Sequence, residues 1–142
     1  MEKRKLGRTG LEVSRIALGA SPFGSVNRAN DWDPFSSEGR RIAIATINRA
    51  LDLGVNYIDT APAYGNGNSE SLIGEVMKTR RDECVLASKV WFELDRQATI
   101  DSVHESLKRL QAERIDIVQV HGRMSDSANW GRLVKERNIK LD

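Results

Sequence analysis

Asp59, Tyr64, Lys89 and His121 are the side chains of this sequence best placed to do chemistry together. Asp59 and Tyr64 share the run Asp59-Thr60-Ala61-Pro62-Ala63-Tyr64-Gly65, and Lys89 and His121 each close an apolar run. A phenol is a poor proton donor at neutral pH. A lysine ammonium beside it stabilises the phenolate left behind and makes the donor stronger. A carboxylate beside the lysine holds the ammonium in place and keeps it charged. A histidine at the same point hydrogen-bonds a substrate oxygen and orients it. The set suits protonation of a carbonyl oxygen as negative charge develops there. Reduction of that carbonyl also needs a hydride, which no side chain supplies and a nicotinamide does.

For these groups to meet, the ends of different strands must lie side by side. Residues 15–19, 55–59, 84–89 and 115–120 are short apolar runs and read as strands. Asp59 and Lys89 end two of them, and His121 follows the last. Helices are expected between them. The first runs from Ser36 or Ser37 to about Leu53, with Ile42, Ile44, Ala45, Ile47, Ala50 and Leu51 as its apolar stripe and Gly54 as its stop. The second covers roughly residues 70–78, capped by Ser69, with Leu72, Ile73, Val76 and Met77 inward. Thr99 opens the third, with Ile100, Val103, Leu107 and Leu110 on one face. A short helix over residues 126–137 and the start of a further strand at 138–141 are expected to follow. Upstream, Leu6-Gly7-Arg8-Thr9-Gly10-Leu11 reads as a tight turn between two short polar strands. Strand and helix alternate four times, which calls for a parallel sheet with right-handed crossovers. In such folds the ligand site lies at the carboxyl ends of the strands. The irregular stretch over residues 20–37 is long for a connection in a compact domain, and such loops are often functional.

Composition narrows the function class. Lys plus Arg number 22 against 20 Asp plus Glu, a net +2 that argues against a nucleic-acid binder with clustered basic charge. The single cysteine, Cys84, rules out an intramolecular disulfide and a multi-cysteine zinc site and fits a reducing compartment. It begins a strand and reads as a small core residue. No apolar run approaches the ~18 residues of a membrane span. No apolar stretch of a secretory signal follows the basic start, so a soluble cytoplasmic protein with no membrane partner is expected. His104 and His121, the two histidines, fall on different elements, and Asp31-Trp32-Asp33 is weak as a metal loop, so no metal is expected. His104 reads as structural. Trp32, Phe35, Trp91 and Phe92 follow strands and either line a substrate pocket or pack the loops. Trp130 reads as packing. Arg109 and Asp116 read as a structural pair or as solvated charges, and Arg80-Arg81 as a solvated turn.

The run from Asp59 to Gly65, then Ser69-Glu70, Ser88-Lys89 and Gln119-Val120-His121, resembles the aldo-keto reductase family. The opening run from Lys5 to Ser14 is similar to the N-terminal hairpin of its bacterial-type members. The resemblance implies that Asp59, Tyr64, Lys89 and His121 form the catalytic tetrad. In it Tyr64 is the proton donor, Lys89 the cation that strengthens it, Asp59 the partner of Lys89, and His121 the group that orients the carbonyl. It implies NADPH as cofactor, with Gly19, Ala20, Ser21 and Asp59 beside the nicotinamide, and a small aldehyde or ketone as substrate; Trp32, Trp91 and Phe92, from their places after strands, are the candidates for its pocket. It also implies a (β/α)₈ barrel, which takes about 250 residues. The chain has 142 and holds about four βα units after its hairpin. The expected fold class is therefore α/β, a partial TIM barrel, with residues 1–142 as a single incomplete oxidoreductase domain lacking most of the family's cofactor half. A half-barrel leaves open sheet edges and exposed apolar residues, so instability or self-association into a homo-oligomer is expected. Two alternatives stand beside this reading. One is a non-catalytic half-barrel acting through self-association or a partner. The other is a flavodoxin-like domain, which would need a switch in strand order, and no Gly-rich phosphate loop accompanies it.

Overall fold

The computed structural model describes residues 1–122. The expected helix over 126–137, the strand at 138–141 and Trp130 lie outside the described residues. Strands β1 (Lys3–Lys5) and β2 (Glu12–Ser14) form the expected antiparallel hairpin. Asn56 fastens it to the main sheet. Its side chain accepts from the Ser14 amide at 2.6 Å and donates to the Glu12 carbonyl at 2.9 Å, and its own amide donates to Ser14 Oγ at 3.0 Å.

The main sheet holds β3 (Leu18–Gly19), β4 (Tyr57–Asp59), β5 (Val85–Trp91) and β6 (Ile117–His121), all parallel and in that order. Helices α1 (Ser37–Asp52), α2 (Asn68–Arg80) and α3 (Arg96–Leu110) are the crossovers. α2 packs between α1 and α3, so the helices form one layer over the sheet. Among the described residues strand order equals chain order, with no switch. The flavodoxin-like alternative is thereby removed, and the winding is that of consecutive steps of a βα barrel.

Side chains alternate across a strand, and register aligns them between strands. Ile58 and Leu86 are paired in register, fully buried, and meet Ile47, Leu72, Ile73, Met77 and Leu110 of the helices in the core. The opposite face carries Tyr57 and Asp59 of β4, Ala87, Lys89 and Trp91 of β5, and Ile117, Gln119 and His121 of β6. On the helix face of β6, Val118 and Val120 are 47% and 57% exposed.

Several boundaries depart from the sequence reading. β3 has two residues instead of five, because the chain at Arg15 still follows the hairpin, its amide donating to the Glu2 carbonyl at 3.2 Å. β5 runs on to Trp91, paired with His121. Ser36 caps α1 by accepting from the Gly39 amide at 3.0 Å. The buried row of α1 is Gly39, Ala43, Ile47 and Leu51, and Ile42 faces solvent. Asp95, rather than Thr99, caps α3, accepting from the Ala98 amide at 2.8 Å. Its Ile100, Val103 and Leu107 are half-buried and Leu110 fully buried, while His104 is exposed. Ser69 does not cap α2. That helix starts from Gly67 in the left-handed region (φ 89°), and the Ser69 hydroxyl is buried, donating to the Ala20 carbonyl at 2.8 Å. The stretch over residues 20–37 is built, not irregular, with two short 3₁₀ turns and a bridge between Asn27 and Trp32.

The arginines pin elements together. Arg81 is not a solvated turn residue. It pairs with Asp116 at 2.7 Å and donates to the Cys84 and Arg114 carbonyls. Asp116 also accepts from the Leu86 amide at 2.7 Å, so one carboxylate joins the start of β5 to the approach to β6. Arg80 pairs with Asp52 and Glu83. Arg109 and Asp116 do not pair with each other, since Arg109 pairs with Glu70. Breaking a largely buried ion pair by removing one partner costs about 3–5 kcal/mol. Asp116→Ala is accordingly expected to lower the unfolding free energy by about 3 kcal/mol, because it leaves the Arg81 charge without its carboxylate and the Leu86 amide without that acceptor. Urea unfolding checks this, and an unchanged midpoint contradicts it.

Candidate active site

The helix-free face of the sheet gathers its polar groups at the carboxyl ends of β4, β5 and β6. Lys89 Nζ donates to Asp59 Oδ1 at 2.9 Å, to Asp59 Oδ2 at 2.8 Å and to the Thr60 carbonyl at 2.8 Å. The three acceptors match the three protons of an ammonium and offset the cost of withdrawing it from water. The Lys89 side chain is 10% exposed. Gln119, beside Lys89 in register, donates from Nε2 to Asp59 Oδ1 at 3.1 Å and to Tyr57 Oη at 3.3 Å.

Tyr64 stands in the turn between β4 and α2. Its amide donates to the Ala61 carbonyl at 3.1 Å, and its carbonyl accepts from the Ser69 amide at 3.2 Å. Gly65 follows at φ 64°, and Gly24 lies against the same backbone. A Cβ on Gly24 would fall 2.2 Å from the Tyr64 carbonyl carbon, so only glycine lets the two loops approach this closely. Lys89 Nζ lies 4.9 Å from the Tyr64 ring centroid. The His121 ring meets the Tyr64 ring edge to face, centroids 5.9 Å apart, and the Trp91 ring at 5.4 Å. Burial pushes the His121 imidazole below its ordinary value, the Lys89 charge adds to this, and Asp59 opposes it. A neutral imidazole keeps one N–H donor and one acceptor.

A buried layer supports the site from behind. Glu70 is fully buried and accepts from Ser88 Oγ at 2.6 Å and from Arg109 Nε at 2.7 Å. Ser88 immediately precedes Lys89, so this carboxylate links α2 and α3 to the strand that carries the ammonium. Arg109 crosses over Gly67, where a Cβ would fall 2.5 Å from its Cδ.

A cleft of about 270 Å³ opens beside Lys89 and His121, lined also by Asn66, Trp91, Leu94 and Ser102 among others. Of the aromatic candidates Trp91 lines it, and Phe92 is buried behind, its ring 5.6 Å from that of Trp91. Trp32 lies elsewhere. It stacks near Phe23 and donates its indole N–H to the Pro22 carbonyl at 2.7 Å, beside a separate hollow that Ser21 also lines. Phe35 is exposed. Gly19 pairs with Asp59 in register, and the Ala20 amide donates to the Asp59 carbonyl at 2.9 Å. A Cβ on Gly19 would meet nothing within 4 Å, so there is open room beside Asp59 at that backbone. Cys84 is buried against Met77, and burial pushes its thiol up to about 11, which removes it as a nucleophile at neutral pH. Among the described residues no group of three or more His, Cys, Asp or Glu is arranged to hold a metal ion, and no helix is long and apolar enough to cross a membrane.

From the sequence alone Gly24 had no role, Gln119 none beyond its place in the run that ends at His121, and Arg109 no link to Glu70. Gln119 carried a usable signal, because it stands two residues before His121 and so shares its face of the strand. Gly24 carried none, since its demand comes from a loop some 40 residues away.

Known proteins bear on this arrangement. The family model described as "Aldo/keto reductase family" matches residues 15–127. Aldo-keto reductase YhdN of Bacillus subtilis is 38% identical over 132 residues, covering 85% of this chain and 38% of its own. L-galactose dehydrogenase of Arabidopsis thaliana is 36% identical over 129 residues, with the same two coverages of 85% and 38%. The chain thus spans about two-fifths of the length of these relatives. A crystal structure of an aldo/keto reductase from Klebsiella pneumoniae in complex with NADP and acetate superimposes with a TM-score of 0.68 at 27% identity, over 89% of this chain and 44% of that one. The sequential parallel winding is that of part of a (β/α)₈ barrel, and the chain belongs to the aldo/keto reductase family.

Proposed function

We propose that this chain carries the proton-transfer site of an NADPH-dependent reductase that converts a small aldehyde or ketone to an alcohol. The observation that carries the reading is the meeting of Asp59, Lys89, Tyr64 and His121 at one end of one sheet. Support for a dinucleotide comes from the open backbone at Gly19 beside Asp59, where a flat ring has room. Gly19, Ala20, Ser21 and Asp59 would hold the nicotinamide end, and a reduced nicotinamide bound there supplies the hydride.

The chain's own groups handle the proton. The neutral His121 donates an N–H to the carbonyl oxygen and fixes its direction. Tyr64 Oη gives its proton to that oxygen as negative charge builds on it. Lys89, held over the ring of Tyr64, stabilises the phenolate this leaves, and Asp59 keeps the ammonium from following the charge. Trp91 and Leu94 narrow the cleft and exclude water, which strengthens each of these interactions.

The direct test is NADPH oxidation with an aromatic aldehyde. A positioned general acid contributes about 10²–10⁴ in rate, so Tyr64→Phe is expected to lose at least about 100-fold in turnover with an unchanged circular dichroism spectrum. Undiminished turnover contradicts the assignment. The state of His121 is tested by ring-proton NMR, where its titration midpoint is expected below 6.5. Folding then favours the neutral ring, so this group adds stability that is present above 6.5 and is lost as the pH falls through the folded midpoint. A midpoint above 6.5 would contradict the dominance of burial at this ring.

A further inference from the structure

We infer that Gln119 is a positioning residue for this site, which holds the Asp59 carboxylate square to Lys89 by bridging Asp59 and Tyr57. The inference rests on the reading of Asp59, Tyr64, Lys89 and His121 as the reductive site. A carboxylate only accepts hydrogen bonds, so the group of Gln119 facing it is the NH₂. That NH₂ has two protons, and the two neighbouring acceptors are Asp59 Oδ1 at 3.1 Å and Tyr57 Oη at 3.3 Å. Both are thereby used. Tyr57 and Asp59 lie on the same face of β4, and Gln119 reaches them from β6, two strands away. Ala87 of the intervening β5 is paired with Asp59, faces the same way and carries only a methyl group, which leaves room for the crossing. Without the bridge, Lys89 alone would orient Asp59, and the carboxylate could rotate between one-oxygen and two-oxygen contact. With it, Oδ1 is fixed from two sides, and both oxygens remain on Nζ. Tyr57 suits the anchor role, because burial and the nearby Asp59 push its phenol above the ordinary value and keep it an uncharged acceptor beside a carboxylate.

Gln119→Leu and Tyr57→Phe test this on the whole protein with two readouts. The first is acetylation of Lys89 by acetic anhydride, read by peptide mass spectrometry against the exposed Lys78 and needing neither cofactor nor substrate. Gln119→Leu is expected to raise Lys89 labelling severalfold, and Tyr57→Phe to raise it less, both with native circular dichroism. The second is steady-state reduction. A small misplacement of a catalytic group costs up to ~10²-fold, so Gln119→Leu is expected to lower kcat by about tenfold or more with KM nearly unchanged. Lys89 labelling and kcat that stay at wild-type levels in both variants would overturn the inference, and Tyr57→Phe alone decides it should Gln119→Leu fail to fold. A wild-type protein that reduces no carbonyl, while Gln119→Leu still raises labelling, would keep the bridge and overturn the reductase reading.

Discussion

Withdrawing an ammonium ion from water costs several kcal/mol unless other acceptors replace the lost hydration. Lys89 meets that condition at the end of a parallel strand, with two oxygens from the Asp59 carboxylate and one from the Thr60 backbone. All three acceptors come from β4 and the residue after it, so the ion pair is also a statement about register. Had β4 and β5 paired one residue out of step, Asp59 would face the helices and the ammonium would have no partner. The turn after β4 then sets Tyr64 by Lys89, and the pairing of β6 with β5 sets His121 by Tyr64.

Much of the rest of the structure serves to keep those strand ends in step. Glu70 has no exposure, yet it is matched by Ser88 and Arg109, one on the strand of Lys89 and the other on α3. Asp116 does comparable work at the opposite end of the sheet, tying Arg81 to the first residues of β5. The buried Glu70 and the largely buried Asp116 bracket β5, and a strand held at both ends presents Lys89 in one position. Ile58 and Leu86 fill the space between, and their burial draws the helix layer onto the sheet. The hairpin adds a third fixed point through Asn56, one residue before β4.

The alternation of strand and helix, the parallel sheet and the places of Asp59, Lys89 and His121 toward the strand ends were legible from the sequence because each depends on local pattern. Apolar runs mark the strands, and a polar residue closing such a run marks its functional end. Capping was less legible. Ser36 caps α1 as its type suggests, but Ser69 turns inward to the Ala20 carbonyl, because at its position a buried acceptor competes with the helix end. The partners of Arg109 and Asp116 could not be read, since each pair joins residues more than 30 positions apart and charge alone does not say which anion a guanidinium meets. The place of Trp32 could not be read for a related reason. The stretch it sits in folds back on itself between Asn27 and Trp32 and sets the indole by Phe23, at a hollow separate from the one that Lys89 and His121 line.

The dependence of the site on one ion pair is tested most directly by a double-mutant cycle on unfolding free energy, with Asp59→Asn, Lys89→Met and the two combined. Each single change leaves one charge without its partner, whereas the combined change removes both charges. The account predicts strong non-additivity, with a coupling of about 1–3 kcal/mol and a double variant at least as stable as Asp59→Asn alone. Additive losses within about 0.3 kcal/mol would mean that the two groups do not depend on each other, and would contradict it.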